Sequence, residues 1–344
     1  MALGLLTATR RQRAAVQLLH RPPGFGALDV VRSLLAVQAQ DLRAARLALR
    51  ARGELFTAAD VDAALGDERA LVRGWLGRGT LHIVAAEDYW WLHGLTAAPR
   101  LAASARRLHQ EGVSPDDADR AVAIIERAIS DEGPLARAEL AERIVGEGIR
   151  AEGQATPHLL MLAALRGVAA FGPVRHGAQD FVLAQDWIGK RPEPDRDAAL
   201  AELARRYLAG HGPATAADLA AWIGLPLRDA HAGLAAIAGD LVEVGEEMVD
   251  LAGHDPAPEP VPARLLPAFD PYLLGWKHRG FAVPAEHARR VHPGGGIVRP
   301  TATVDGTVVG TWSRREGLAP FGELRADDAR ELGAEAADMA RFEG

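Results

Sequence analysis

Leu34-Leu35-Ala36-Val37-Gln38-Ala39-Gln40-Asp41-Leu42-Arg43-Ala44-Ala45-Arg46-Leu47-Ala48-Leu49-Arg50 sets two glutamines, one small apolar residue apart, between two apolar helical segments. Gln is uncommon inside proteins because its amide brings donors and an acceptor that all need partners. Two of them beside apolar helix faces leave two readings: a solvent-facing helix end, or a polar junction with a chemical task. Upstream, Asp29 is placed to N-cap a helix over residues 30–37. Downstream, Asp41 can cap residues 42–52, where Leu42, Ala45 and Leu49 share one face and Arg43, Arg46 and Arg50 the other. Gln38 and Gln40 then fall at a junction where side chains two apart can converge, as they cannot within a regular helix. Arg43, Arg46 and Arg50 either track phosphates or form a solvated helix face. Asp41 is either an N-cap or a water-activating carboxylate.

Working outward, residues 9–20 form a basic helix that Pro22-Pro23-Gly24 breaks, and a short helix follows Thr57-Ala58-Ala59-Asp60. Two β-prone runs, Leu71-Val72-Arg73-Gly74-Trp75-Leu76 and Thr80-Leu81-His82-Ile83-Val84, flank Gly77-Arg78-Gly79 and predict a hairpin. Helices followed by such a hairpin make a winged-helix module, the hairpin being the wing. Arg78 and His82 on that wing are candidate phosphate contacts, although His82 on a strand reads more readily as simply alternating outward. The plan recurs twice. Residues 117–188 predict helices over 119–130, 137–145 and 158–165 and strands over 168–172 and 180–184; residues 197–252 predict helices over 198–208, 218–222 and 227–237 and a hairpin over 241–251. Gly133-Pro134 and Gly212-Pro213 stand at equivalent places in the two repeats. Linkers are expected at residues 190–196 and 253–262. Beyond them, residues 264–315 read as β-rich, with a hairpin at Val304-Asp305-Gly306-Thr307, and an amphipathic helix covers residues 327–341. The expected fold class is therefore α+β, mainly α, with three tandem winged-helix modules and a β-rich C-terminal extension. The modules are expected at 1–115, 116–195 and 196–344.

A chain of 344 residues exceeds one small core, and 48% hydrophobic with 25% charged residues is a folded composition. With no Cys there is no disulfide, thiolate nucleophile, Cys-ligated zinc or iron–sulfur cluster. His278, His287 and His292 match no zinc spacing, so neither a metal nor a cofactor is expected. No apolar run spans a bilayer, and the opening residues carry their charge after the apolar part, the reverse of a secretory signal; no membrane partner and a cytoplasmic location are expected. The net charge of −7 argues mildly against nucleic acid, yet arginines cluster at 10–13, 43–52, 100–107, 289–290 and 314–315, as an anionic ligand would require. Gly294-Gly295-Gly296 leads into a strand, so it is not read as a phosphate loop. Trp90-Trp91 is read as packing rather than a base-stacking platform.

Four ordered motifs narrow the function: Val37-Gln38-Ala39-Gln40; the hairpin from Leu71 to Val84; Leu266-Pro267-Ala268-Phe269-Asp270-Pro271-Tyr272-Leu273-Leu274-Gly275; and Gly295-Gly296-Ile297-Val298-Arg299-Pro300-Thr301 with Val309-Gly310-Thr311-Trp312. Together they resemble the AlkZ/YcaQ-type winged-helix DNA glycosylases, in the form with Gln, an apolar residue, then Gln. The resemblance implies tandem winged helices around a basic DNA-binding channel and excision of alkylated bases, including N7-alkylated guanines and some interstrand crosslinks. It makes Gln38 and Gln40 the expected catalytic residues. The expected partner is double-stranded DNA carrying alkylated guanine or adenine, bound by a monomer through Arg43, Arg46, Arg50, Arg78, His82, Arg314 and Arg315. A hairpin or loop near Arg314-Arg315 is a candidate for filling the gap left by an extruded nucleotide. The rival expectation is a non-catalytic winged-helix DNA-binding protein, such as a transcription regulator, indifferent to alkylation.

Overall fold

The computed structural model describes residues 2–175, 177–193, 195–245, 247–255 and 258–344, with side chains from Leu6 onward. Pro194, Glu246, Pro256 and Ala257, which belong to the expected linkers and the third hairpin turn, lie outside the described residues. The chain is mixed α and β and mainly helical, with small antiparallel sheets. It divides into two compact units, residues 1–61 with 200–344, and residues 62–199.

In chain order the first unit supplies α1 (Ala2–Val16), α2 (Ala27–Leu34), the two-residue strand β1 (Val37–Gln38), α3 (Leu42–Arg50) and α4 (Ala58–Leu65), through which the chain enters the second unit. That unit holds β2 (Leu71–Leu76), β3 (Thr80–Ala85), α5 (Ala86–Thr96), α6 (Ala98–Gln110), α7 (Pro115–Glu132), α8 (Arg137–Gly146), α9 (Ala155–Leu165), β4 (Ala169–Arg175), β5 (Ala178–Leu183) and α10 (Ala184–Ile188). The return runs through α11 (Arg196–His211), α12 (Ala216–Ile223), α13 (Leu227–Ala236), β6 (Leu241–Val244), β7 (Met248–Leu251), β8 (Arg264–Leu266), α14 (Pro271–Leu274), α15 (Ala288–Val291), β9 (Thr301–Val304), β10 (Thr307–Ser313), β11 (Gly317–Pro320) and α16 (Ala326–Glu343).

The β2–β3 hairpin pairs Leu71 with Ala85 through Leu76 with Thr80, and Gly77 and Gly79 supply the positive φ values that its turn demands. β4–β5 and β6–β7 are the second and third hairpins. In the second unit, Leu108, Ile125, Leu140, Ile144 and Leu159 pack with Phe171 and Phe181 in one core, and Trp75 lies 5.0 Å from Phe171. Trp90 joins the packing, its indole N–H donating to the Gly189 carbonyl at 2.8 Å.

The first unit is organised by charge as much as by apolar contact. β8, β9, β10 and β11 form one antiparallel sheet in the order β11-β10-β9-β8. Asp305 and Gly306 form the two-residue turn between β9 and β10, both with positive φ, and Arg10 and Arg11 of α1 both grip the Asp305 carboxylate. Arg52, directly after α3, and Asp270, which caps α14, are both fully buried. Their fork-to-fork contact has N–O distances of 2.9 and 2.7 Å, and Gln17 completes it by accepting from Arg52 at 3.0 Å. Arg50 is buried against α16, donating to Glu335 at 2.9 Å, Asp338 at 3.0 Å and the Leu265 carbonyl at 3.1 Å. Arg21 and Arg264 contact the same Glu335, and burial pushes the Arg264 guanidinium down to about 10. Tyr207, His211, Trp222, Tyr272, Trp276 and Phe281 stack into an aromatic core that Arg13 enters 4.8 Å from Trp276 and 4.6 Å from Phe281. Burial pushes His211 down to about 3, so it packs as a neutral ring.

Several boundaries differ from the expectations above. The first helix begins at Ala2, not near Thr9. Gly26 rather than Asp29 is the N-cap of α2; Asp29 sits three residues inside and accepts from the Gly26 N–H at 3.0 Å. Residues 271–274 form a helical turn inside the stretch expected to be β-rich, because Asp270 accepts from the Tyr272 N–H and Pro271 fits the first helical position.

Removing the Asp270 carboxylate leaves a buried guanidinium without its counter-ion. Asp270→Ala is therefore expected to cost about 3–5 kcal/mol of unfolding free energy in denaturant titration.

Candidate functional site

The Gln pair owes its setting to what precedes and follows it. α2 ends at Leu35, whose φ of 66° and ψ of −48° form a γ-turn closed by Ala36 N–H donating to the Leu34 carbonyl at 2.8 Å. Such a conformation costs on the order of 1–3 kcal/mol for a side-chain-bearing residue and persists only where packing over-determines it. The Leu35 side chain is fully buried, which supplies that packing. The chain then runs extended, and burial alternates: Val37 and Ala39 are 0% exposed, Gln38 is half-buried and Gln40 is exposed. Alternation puts the two amides on the open side of the strand and both apolar residues on the inner side. Each glutamine carries rotatable carbonyl and NH2 groups, so one pair can accept from and orient a water molecule between them.

Asp41 closes the segment as the N-cap of α3, its carboxylate accepting from the N–H groups of Arg43 at 2.9 Å and Ala44 at 3.2 Å. Both bonds fall on Oδ1, which gives the carboxylate a capping role at the helix end. At the other end of the helix, Arg50 and Arg52 lock α3 to Glu335, Asp338 and Asp270.

The candidate DNA contacts separate into different environments. Arg43 in the first turn of α3 is exposed, and its guanidinium donates to Glu343 at 2.7 and 2.6 Å. Arg314 and Arg315 form the tip of the β10–β11 hairpin, both exposed, and Arg314 also pairs with Glu343. Arg46 is half-buried on α3. Arg78 is exposed at the tip of the β2–β3 hairpin, where Arg100 donates to the neighbouring Gly77 carbonyl at 3.3 Å. Two expectations are corrected. Arg50 is 1% exposed and held by acidic side chains of α16, so it anchors the helix and does not line a basic face. His82 is 7% exposed with Nδ1 3.0 Å from the Thr80 carbonyl oxygen, and burial pushes it down to about 4. It is a neutral ring at neutral pH and offers no cation to a phosphate.

Reading the sequence missed Glu335, Asp338 and Glu343, and it counted Arg52 within the 43–52 cluster for an anionic ligand, whereas Arg52 is buried against Asp270. Asp270 stood inside a motif with no role attached, and only its position before Pro271 signalled a helix cap. Among the described residues no cluster of three or more acidic or His side chains could hold a metal ion, and no helix is long and apolar enough to cross a membrane.

Residues 31–342 match the family model described as DNA glycosylase AlkZ-like. The chain is 29% identical over 361 aligned positions to an interstrand DNA cross-link repair glycosylase of Streptomyces sahachiroi, the alignment covering 98% of this chain and 95% of that protein. Its fold matches the solved structure of Streptomyces sahachiroi DNA glycosylase AlkZ with a TM-score of 0.80 at 26% sequence identity, over 98% of this chain and 96% of the other.

Asp41→Asn keeps an oxygen acceptor at the helix end, whereas Asp41→Ala removes it. The cap reading predicts an unfolding free energy close to wild type for the Asn variant and a loss of about 1 kcal/mol for the Ala variant, with the Asn variant retaining whatever base-release rate the wild type shows.

Proposed function

The chain belongs to the AlkZ-like family of DNA glycosylases, and from that premise we propose that it hydrolyses the N-glycosidic bond of N7-alkylated, cationic purines, with Gln38 and Gln40 positioning the water. The observation that carries this reading is the Gln38-Ala39-Gln40 segment between α2 and α3: Ala39 is fully buried, Gln38 is half-buried, Gln40 is exposed, and the adjacent carboxylate caps a helix through one oxygen.

The chemistry follows from the leaving group. Alkylation at N7 leaves the purine positively charged, so on bond cleavage the base takes the glycosidic electron pair and departs neutral, with no general acid required. The sugar acquires oxocarbenium character at C1′. Water adds its oxygen there, loses a proton to solvent, and leaves an abasic site. Two amide oxygens accept hydrogen bonds from that water and turn their dipoles toward the developing positive charge, a contribution of position and electrostatics rather than proton transfer. A site of this kind discriminates against neutral bases, whose departure needs protonation. Bulky N7 adducts and interstrand crosslinks are chemically equivalent at the scissile bond, and the crosslink-repair relative is consistent with that extension.

In this reading the three helix-and-hairpin repeats, residues 1–115, 116–195 and 196–344, serve as winged helices presenting Arg43, Arg46, Arg78, Arg314 and Arg315 to the backbone of a duplex bound by a monomer. The Arg314-Arg315 hairpin tip is the element offered to the gap left by an extruded nucleotide.

The test is release of free 7-methylguanine from methylated duplex DNA under single-turnover conditions. Wild type is expected to release it, and Gln38→Ala and Gln40→Ala, with melting temperatures unchanged, to be slower by roughly 10²-fold or more, the usual cost of a lost positioning donor or acceptor. Absence of release from both methylated and bulky N7-adducted duplex would overturn the catalytic reading in favour of a DNA-binding protein.

A further inference from the structure

Glu343, in the last turn of α16, is gripped by two arginines from distant parts of the first unit. Arg43 brings Nε and Nη2 to one carboxylate oxygen at 2.7 and 2.6 Å, and Arg314 brings Nη2 to the other. The glutamate side chain is 16% exposed, whereas the arginines remain 45% and 58% exposed. The cations therefore face solvent around an anion that is largely covered.

Local helix physics does not explain this glutamate. A carboxylate in the last turn of a helix faces the negative end of the macrodipole, which disfavours it. Nor does the pair of arginines explain itself, since two guanidiniums brought to one point repel unless an anion lies between them. What the three side chains form is an anion site: a planar edge of one guanidinium on one oxygen and a second guanidinium on the neighbouring oxygen, the arrangement that suits the two non-bridging oxygens of a phosphodiester. Arg43 is two residues from Asp41 in the first turn of α3, directly after Gln40, and Arg314 is at the tip of the β10–β11 hairpin. A phosphate held here would belong to the strand presented to the Gln pair.

We propose that Arg43 and Arg314 make a single phosphate-binding subsite, that the Glu343 carboxylate occupies it in the free protein as a phosphate surrogate, and that a backbone phosphate of duplex DNA displaces it. The proposal rests on the reading of this chain as a DNA-binding glycosylase and deepens it. Exchange is feasible energetically because the two arginines, about half exposed, keep most of their contact with solvent and are screened by salt, whereas a phosphate contact also releases counterions from DNA. The device weakens adhesion to DNA in general, because every encounter must first exchange one carboxylate for one phosphate.

The experiment is a fluorescence-anisotropy titration of an undamaged labelled duplex, at several salt concentrations, with wild type, Glu343→Gln, the double variant Arg43→Ala/Arg314→Ala, and the triple variant combining all three. Glu343→Gln keeps the side-chain shape and removes only the charge. It is expected to tighten binding about two- to five-fold and to steepen the salt dependence. The double variant is expected to bind more weakly, and in its background Glu343→Gln is expected to have no effect. Unchanged or weaker binding by Glu343→Gln would overturn the proposal, making the carboxylate a brace that holds the arginines. Tightening that persists without the two arginines would overturn it as a general charge effect. Base release assayed on the same proteins separates the two readings. Responsive affinity without base release refutes the glycosylase and leaves the subsite standing; base release with unresponsive affinity refutes the subsite alone.

Discussion

The first unit depends on the ion pair between Arg52 and Asp270. Both side chains are fully buried, so each charge has lost its hydration and is tolerable only because the other is present in bidentate contact. Asp270 is shared further, accepting from the Tyr272 N–H, and Arg52 also donates to Gln17 and to the Ala48 carbonyl. Gln17 in turn donates to the Gly210 carbonyl, which joins α1, the segment after α3, the end of α11 and the start of α14 in one hydrogen-bonded cluster. An apolar replacement would fill the same volume, but the ion pair adds direction: a guanidinium fork fits one orientation of its carboxylate, and so sets the register of α3 against the segment around α14.

That register matters because α3 carries the Gln pair at its N-terminal end. The helix is held at its C-terminal end by Arg50 and Arg52, and at its start by the Asp41 cap and the buried Val37 and Ala39. Immediately upstream, the γ-turn at Leu35 stores backbone strain that its buried side chain sustains. The outcome is a short extended segment whose backbone is held from both sides. Under the proposed function, amides on a fixed backbone orient a water by position and electrostatics, the form of catalysis open to a site without a titrating base. The same anchoring fixes the backbone of Arg43 relative to that of Gln40, so that the proposed phosphate contact and the glutamine pair are carried on one rigid segment.

Much of this was legible in the sequence and some of it was not. Alternation and turn chemistry sufficed for the hairpins at residues 71–85 and 301–313, where Gly77, Gly79, Asp305 and Gly306 adopt backbone angles that few other residues tolerate. The Asp41 cap and the junction setting of Gln38 and Gln40 were equally readable, because both follow from local rules of three or four residues. Arg50 was misread: its helical spacing matched Arg43 and Arg46, but Glu335 and Asp338 lie almost three hundred residues away, and no local pattern announces a long-range counter-ion. His82 was ambiguous for a similar reason. Strand alternation alone does not tell which face of a hairpin is covered, and here every residue from Leu81 to Ala85 is buried. Glu343 escaped notice because it lies beyond the helix expected over residues 327–341, which in the structure runs on to Glu343.

The central claim is that two amides, and no carboxylate, hold the attacking water. The most direct measurement is a crystal structure of the protein bound to duplex DNA containing a cationic azasugar abasic nucleotide with free 7-methylguanine, a mimic of the departing base and the oxocarbenium sugar. The account predicts one ordered water accepted by the carbonyl oxygens of both Gln38 and Gln40, with its oxygen about 3–3.5 Å from the sugar position equivalent to C1′. A sugar ring bound well beyond hydrogen-bonding reach of both glutamines, or a carboxylate holding the water in their place, would contradict it.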